Sequence, residues 1–330
     1  MRILIAIVCF MPFVGWSQIG GQFGFQSLNL TSNPRTAALG GTAVSLTDGD
    51  ITQFFENPAT LDSVAAKNVF FHFNPYFADI SVFSGAYSFK MGVLGNFAAG
   101  LNYVNYGSFR AADETGNDLG IFQAQDYTVT FGKAHRLGIF TLGANVKLAH
   151  SSIENYSSTA VLMDFGGVFR LNENWNVSMV FQNMGIKLND FTGLSTPQLP
   201  FDVKLGTSFK PEYMPLRFTL TSTNLVDTNF NEENETGGRS NSTIDEVWKR
   251  VNIGAELLLS QHFQLLIGYN HKRQQELRLD ELGGGAGLSY GLMLKIKRIE
   301  FRFSRATFHA AGGSSFISMR TDLNDFKKIL

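Results

Sequence analysis

The side chains of this chain that could bind a metal or move a proton are scattered. His72, His135, His150, His262, His271 and His309 lie on separate segments. A metal centre needs ligands converging at fixed geometry, and no two of these histidines stand at ligand spacing. They read as interface or loop histidines, so no metal is expected. A hydrolase needs a nucleophile, a base and an orienting group, and His309 near Ser314 and Ser315 is the one local constellation. No nucleophile motif surrounds any serine, and serine beside glycine at a strand start is ordinary. Gly283-Gly284-Gly285-Ala286-Gly287 lacks the downstream Lys-Ser/Thr of a phosphate loop and runs into a strand, not a helix, so it reads as a loop end. The one cysteine is Cys9, which leaves no disulfide framework, thiolate cluster or thiol nucleophile in the rest of the chain. The expectation is a protein that is not an enzyme and carries no cofactor.

Composition narrows the class. The 330 residues include 31 Phe and 33 Gly with only 17% charged residues, too apolar for a disordered chain. A net charge of -1 creates no field for nucleic acid. Residues 1–17 place Arg2 before an apolar run at 3–14 and end in Gly15-Trp16-Ser17, the order of a cleaved signal peptide. Export is expected, with the mature chain starting at Gln18 and Cys9 removed.

The elements that must position any function are strands. After residue 17 no window reaches the 18 or so uninterrupted apolar residues of a spanning helix. From residue 68 the sequence instead breaks into segments of roughly ten residues with period-two alternation. Phe140, Leu142, Ala144, Val146 and Leu148 alternate with Thr141, Gly143, Asn145 and Lys147; Trp175, Val177, Met179 and Phe181 repeat the pattern. About fourteen such segments can be drawn, an even number suited to an outer-membrane barrel. Their links read as short near Lys90, His135, Asn172, Pro211, Gln261 and Lys297, and as long near Thr115, Ser152, Asp190, Glu233, Arg278 and Ala311. That rhythm fits short periplasmic turns and long outer loops better than it fits a soluble sandwich.

The expected fold is therefore all-β: a transmembrane antiparallel barrel of about fourteen strands over residues 68–330, preceded by a lumenal segment at 18–67. That segment breaks the rhythm and carries Asn33-Pro34, Arg35, Gly40-Gly41, Asp48 and Asn57-Pro58-Ala59, the small residues and prolines of compact turns. A barrel of this size encloses more space than its own side chains fill, so the segment is expected to act as a plug, with Arg35 and Asp48 paired to interior charges. Parity points Lys147, Asp164, Arg170, Asp202, Lys204, Arg217, Glu256, Glu300 and Arg302 inward. They carry both signs, which suits a cross-linked interior better than a fatty-acid tunnel. The polar stretch 224–249, with Asp227, Glu232, Glu233, Glu235 and Arg239, reads either as hydrated surface or as a docking loop for a partner. Loop 271–282 mixes charges that could meet lipopolysaccharide phosphates or a protein.

The stretch 35–41, Asp48 and Asn57-Pro58-Ala59, followed by about fourteen strands, resemble the FadL-like barrel superfamily. More narrowly, Tyr106-Gly107-Ser108-Phe109, Asp113 with Gly116, the run 120–126, Asp164-Phe165-Gly166, Gln182-Asn183-Met184-Gly185, Pro200-Phe201 and Gly268-Tyr269-Asn270 resemble the PorV/PorQ group of the type IX secretion system, and within it the PorQ family. The resemblance spans nearly the whole mature chain. It implies an outer-membrane component of the cell-surface attachment complex of a Gram-negative bacterium, embedded in outer-membrane lipid and lipopolysaccharide. Such a barrel would work with a PorV-like barrel and a PorU-like sortase and hold a PorZ-like surface protein. A FadL-like transporter of hydrophobic small molecules and a PorV-type cargo shuttle remain the alternatives.

Overall fold

A computed structural model describes residues 24–77, 79–113, 115–191, 198–226, 247–276, 285–309 and 312–324. Fourteen antiparallel strands close into one barrel: β1 (Asn68–Pro75), β2 (Ser81–Lys90), β3 (Asn96–Ala112), β4 (Asp118–Leu137), β5 (Phe140–Ile153), β6 (Tyr156–Asn172), β7 (Trp175–Asn189), β8 (Asp202–Phe209), β9 (Leu216–Ser222), β10 (Val251–Leu257), β11 (Phe263–Asn270), β12 (Leu288–Ile296), β13 (Ile299–His309) and β14 (Gly312–Asp322). Each strand pairs with its sequence neighbours, and β1 pairs with β14 from Asn68 opposite Asp322 to Phe73 opposite Ile317. No edge is left within the ring, as a strand structure in lipid requires.

The wall is turned inside out relative to a soluble protein. On β5, Leu142, Val146 and Leu148 are exposed while Thr141, Asn145 and Lys147 are buried. The same division runs through β6 with Met163 and Phe165 against Leu162 and Asp164, and through β14 with Ile317 and Met319 against Phe316 and Ser318. An apolar band of this kind faces hydrocarbon. Aromatic pairs stack along it, Tyr103 on Tyr127 at 4.8 Å and Phe140 on Phe169 at 4.9 Å.

The links depart from the expected rhythm in three places. The connection near Thr115 is a five-residue turn between β3 and β4. Those near Ser152 and Ala311 are only two residues long, joining Ile153 to Tyr156 and His309 to Gly312. Strands β3 to β7 contain 17, 20, 14, 17 and 15 residues, well beyond the 9 to 11 or so that cross a membrane. Polar residues read as loops are thus ladder that continues past the bilayer. Residues 271–276 likewise form a helical turn, His271–Glu276. Residues 1–17 lie outside the described residues, as does most of the stretch 224–249.

Residues 24–67 fold into the barrel. Three Asn or Asp caps set its turns. Asn33 Oδ1 accepts from Thr36 N at 2.8 Å, Asp50 Oδ1 from Thr52 N at 3.1 Å and Asn57 Oδ1 from Ala59 N at 3.0 Å. Proline follows Asn33 and Asn57 at the first helical position, where its missing N–H costs nothing. The resulting pieces Pro34–Ala38, Ile51–Phe55 and Pro58–Ser63 are buried along nearly their whole length.

Candidate functional site

The lumen is where the chain concentrates its unusual chemistry. Arg35, on the turn Pro34–Ala38, is 2% exposed and meets three carboxylates. It donates Nη1 and Nη2 to Asp48 Oδ1 and Oδ2 at 2.8 and 2.7 Å, Nη1 to Asp50 at 3.2 Å, and Nε and Nη2 to Glu256 on β10 at 2.8 and 3.0 Å. Arg217 on β9 bridges Asp48 at 2.6 Å and Glu256 at 3.0 Å. Arg302 on β13 contacts Asp50, and its Nε lies 2.8 Å from Glu300. Arg320 on β14 donates to Glu300 at 2.6 Å and to the Gly49 carbonyl at 3.2 Å. Four arginines and four carboxylates therefore balance, and they tie the inner segment to four wall strands.

The charge states follow from this packing. Burial pulls the Asp48 carboxyl up, but Arg35 and Arg217 outweigh it and hold the group well below the usual carboxylate range. Asp50 is lowered too, since Arg302, Arg320 and Arg35 overcome its burial. The Arg35 guanidinium is raised, because Asp48 and Glu256 outweigh its desolvation. Glu56 differs: burial raises its carboxyl, and Lys204 at 3.8 Å and the Thr42 hydroxyl at 3.2 Å offset that only in part.

A second cluster faces β5 to β7. Lys147 Nζ lies 2.7 Å from Asp164 Oδ2 and donates to Asn183 Oδ1 at 3.0 Å. The Asn183 N–H donates to Asp164 Oδ1 at 2.9 Å, and Asn145 donates to the Phe54 carbonyl at 2.9 Å. Asn183 has φ 61° and sits where the β6–β7 register slips, a bulge that turns its amide inward. Arg170 reaches Asp62 at 3.2 Å. Asp202 accepts from the Asn224 N–H at 2.7 Å.

Glycines fit the wall to the segment. A Cβ on Gly268 would lie 2.3 Å from Gly40 N, on Gly143 2.3 Å from Ala59 N, and on Gly166 2.0 Å from Asn57 Oδ1. Real Cβ atoms do not come so close, so these inward positions are cut to receive the segment's backbone. Part of the high glycine count has this cause.

The structure thus brings together Arg35, Asp48, Arg217, Glu256, Glu300 and Arg302 in one cluster, and Lys147 with Asp164 in another. Sequence reading missed Asp50, Glu56, Asp62 and Arg320. Parity alone could have found Arg320, two residues beyond inward Ser318. Among the described residues, no three His, Cys, Asp or Glu side chains are placed to hold a metal ion. Ser314 is buried beside Asn74 and the Pro75 carbonyl. The docking residues Asp227, Glu232, Glu233, Glu235 and Arg239 lie outside the described residues.

No protein-family model matches the chain, and no curated protein matches it. Among solved structures it is similar to the Pseudomonas putida toluene transporter TodX, with TM-score 0.52 and 12% identity over 91% of this chain and 98% of that one. A Pseudomonas aeruginosa FadL homologue gives TM-score 0.52 and 10% identity over 88% and 98%. The CymD monoaromatic hydrocarbon channel gives 0.52 and 12% over 88% and 97%. None of the three is named as an enzyme. At such identities the likeness is one of fold, the closed antiparallel barrel described above.

Proposed function

We propose that this barrel is a sealed outer-membrane anchor that holds a secreted protein at the cell surface, not a conduit. The observation that carries the reading is the lumen. Four arginines and four carboxylates fix the inner segment to β9, β10, β13 and β14, and backbone packs against inward glycines. An anchor needs a rigid lumen and an outward docking surface, whereas a hydrophobic transporter needs an apolar pocket and an exit. The outer ends of β3 and β4 supply such a surface, with Leu119 and Ile121 exposed six or more positions beyond Tyr127. The resemblance of the chain to the PorQ family supports a PorZ-like surface protein as the partner held, in a complex with PorU-like and PorV-like proteins.

The fold likeness to TodX and CymD favours a second reading, a channel for hydrophobic small molecules. Two measurements separate them. Surface labelling in cells lacking the gene should show the secreted partner lost from the surface, and the intact barrel in planar bilayers should be nearly silent. Unchanged retention of the partner together with facilitated uptake of a hydrocarbon would establish the channel instead.

A further inference from the structure

Between residues 26–32 and the outer half of the wall lies a chamber of about 420 Å³, within the size range of small-molecule sites. Its lining is rich in amide, carboxylate and ammonium groups, among them Asn102 on β3, Asp126 and Thr128 on β4, Lys204 on β8, Asn252 on β10 and Glu56.

Among the described residues, two acceptors in this lining have no protein donor. Asp126 is 5% exposed; its Oδ2 accepts from the Tyr106 hydroxyl at 2.9 Å, while its buried Oδ1 has no partner. The buried Oδ1 of Asn102 has none either. In the β3–β4 ladder Asn102 lies opposite Thr128 and Val104 opposite Asp126, so the two acceptors are diagonal neighbours on one inward face. Leaving such atoms unpaired is costly, and a carboxylate oxygen more so than an amide. One group that satisfies both is an ammonium, which carries the compensating charge and donates in several directions.

The lining of the chamber also offers a cation. Lys204 Nζ stands 3.8 Å from Glu56 Oε2, beyond hydrogen-bonding distance, and burial favours the neutral form of Glu56. A ligand carboxylate can take up that ammonium. A hydrocarbon would leave both acceptors and Lys204 unanswered, and a wall built of hydrogen-bonding groups rejects a ligand that lacks them.

We infer that this chamber binds a small zwitterion, an amino acid or dipeptide, with its ammonium on Asp126 and Asn102 and its carboxylate at Lys204. The inference is independent of the anchor reading, since a sealed barrel can hold a ligand that it does not pass.

The test is isothermal titration of the full-length mature protein, purified in detergent, with alanyl-alanine, glucose and toluene in turn. Saturable binding of alanyl-alanine alone is expected. Asp126→Asn keeps an acceptor for Tyr106 but removes the charge, and should weaken binding at least tenfold. Lys204→Met should weaken alanyl-alanine while leaving alanyl-alaninamide, which lacks the carboxylate, as in the wild type. Heat-modifiable mobility on gels reports folding; if Asp126→Asn does not fold, Asn102→Ala takes its place with the same expectation. Binding of toluene in preference, no binding of alanyl-alanine, or an undiminished affinity in the folded variant would each overturn the inference.

Discussion

Arg35 and Glu256 stand 221 positions apart and meet as a bidentate pair, Nε to Oε1 at 2.8 Å and Nη2 to Oε2 at 3.0 Å. The pair joins the helical turn Pro34–Ala38 of the lumenal segment to β10, so it links the two parts of the molecule directly. Both groups are almost fully buried, at 2% and 0% exposure. Removing Arg35 leaves four lumenal carboxylates facing three arginines, and Arg35→Met should therefore destabilise by about 3–5 kcal/mol. The double replacement Arg35→Met with Glu256→Met should cost less than the two single changes added together. Denaturant unfolding of the detergent-solubilised barrel measures both, and strict additivity would contradict the coupling.

Acid should unseat the segment only at extreme pH. Asp48 and Asp50 are held below the usual carboxylate range, so their contribution is present above that range and is lost as the pH falls through their lowered folded values. Single-barrel conductance should stay closed from pH 7 down to about pH 4 and rise only below it. Opening at pH 5 or 6 would mean that other groups hold the segment.

Substitutions at glycine should divide by direction. Gly143→Val faces the Ala59 backbone, where a Cβ already falls at 2.3 Å, and should cost upward of about 1–3 kcal/mol and displace the segment. Gly85→Ala faces outward, with its nearest neighbour at 3.6 Å, and should change stability by no more than about 0.5 kcal/mol. Thermal melts with bilayer conductance as a second readout decide it; equal effects would remove the case for a wall cut to fit.

The lipid face gives the control for membrane insertion. Val146 is exposed near the middle of β5, and Val146→Arg should cost about 2–4 kcal/mol. Heat-modifiable mobility after outer-membrane extraction should show a smaller assembled fraction. Unchanged assembly would mean this face does not meet lipid.

The ring of strands was legible because the bilayer imposes a strict alternation, clear in the run from Phe140 to Leu148. The upper ends of β3 to β6 were not. Above the bilayer both faces of a strand can meet water, so Gly107, Arg110 and Asp118 on one hairpin show no alternation, whereas Ser151 and Ser158 on another are buried inward but belong to a short polar run that reads like a loop. Parity also pointed the wall charges inward without revealing their partners, since nothing local connects Arg35 to Glu256 or Asp50 to Arg302. The short link at Glu154 and Asn155 was hidden by the same polar run, which resembles a loop as much as a ladder.

The unequal strand lengths have a consequence in the plane of the membrane. Strands β3 to β7 hold 14 to 20 residues, whereas β8 to β11 hold 7 or 8. The rim of the ladder is therefore lopsided, a parapet on one flank and a low sill on the other. A cylinder of even height looks alike from every azimuth, but this one has a front and a back. Whatever settles on its outer end is given a compass bearing as well as a place to rest, and neighbouring barrels in one bilayer can be told apart by the way they face.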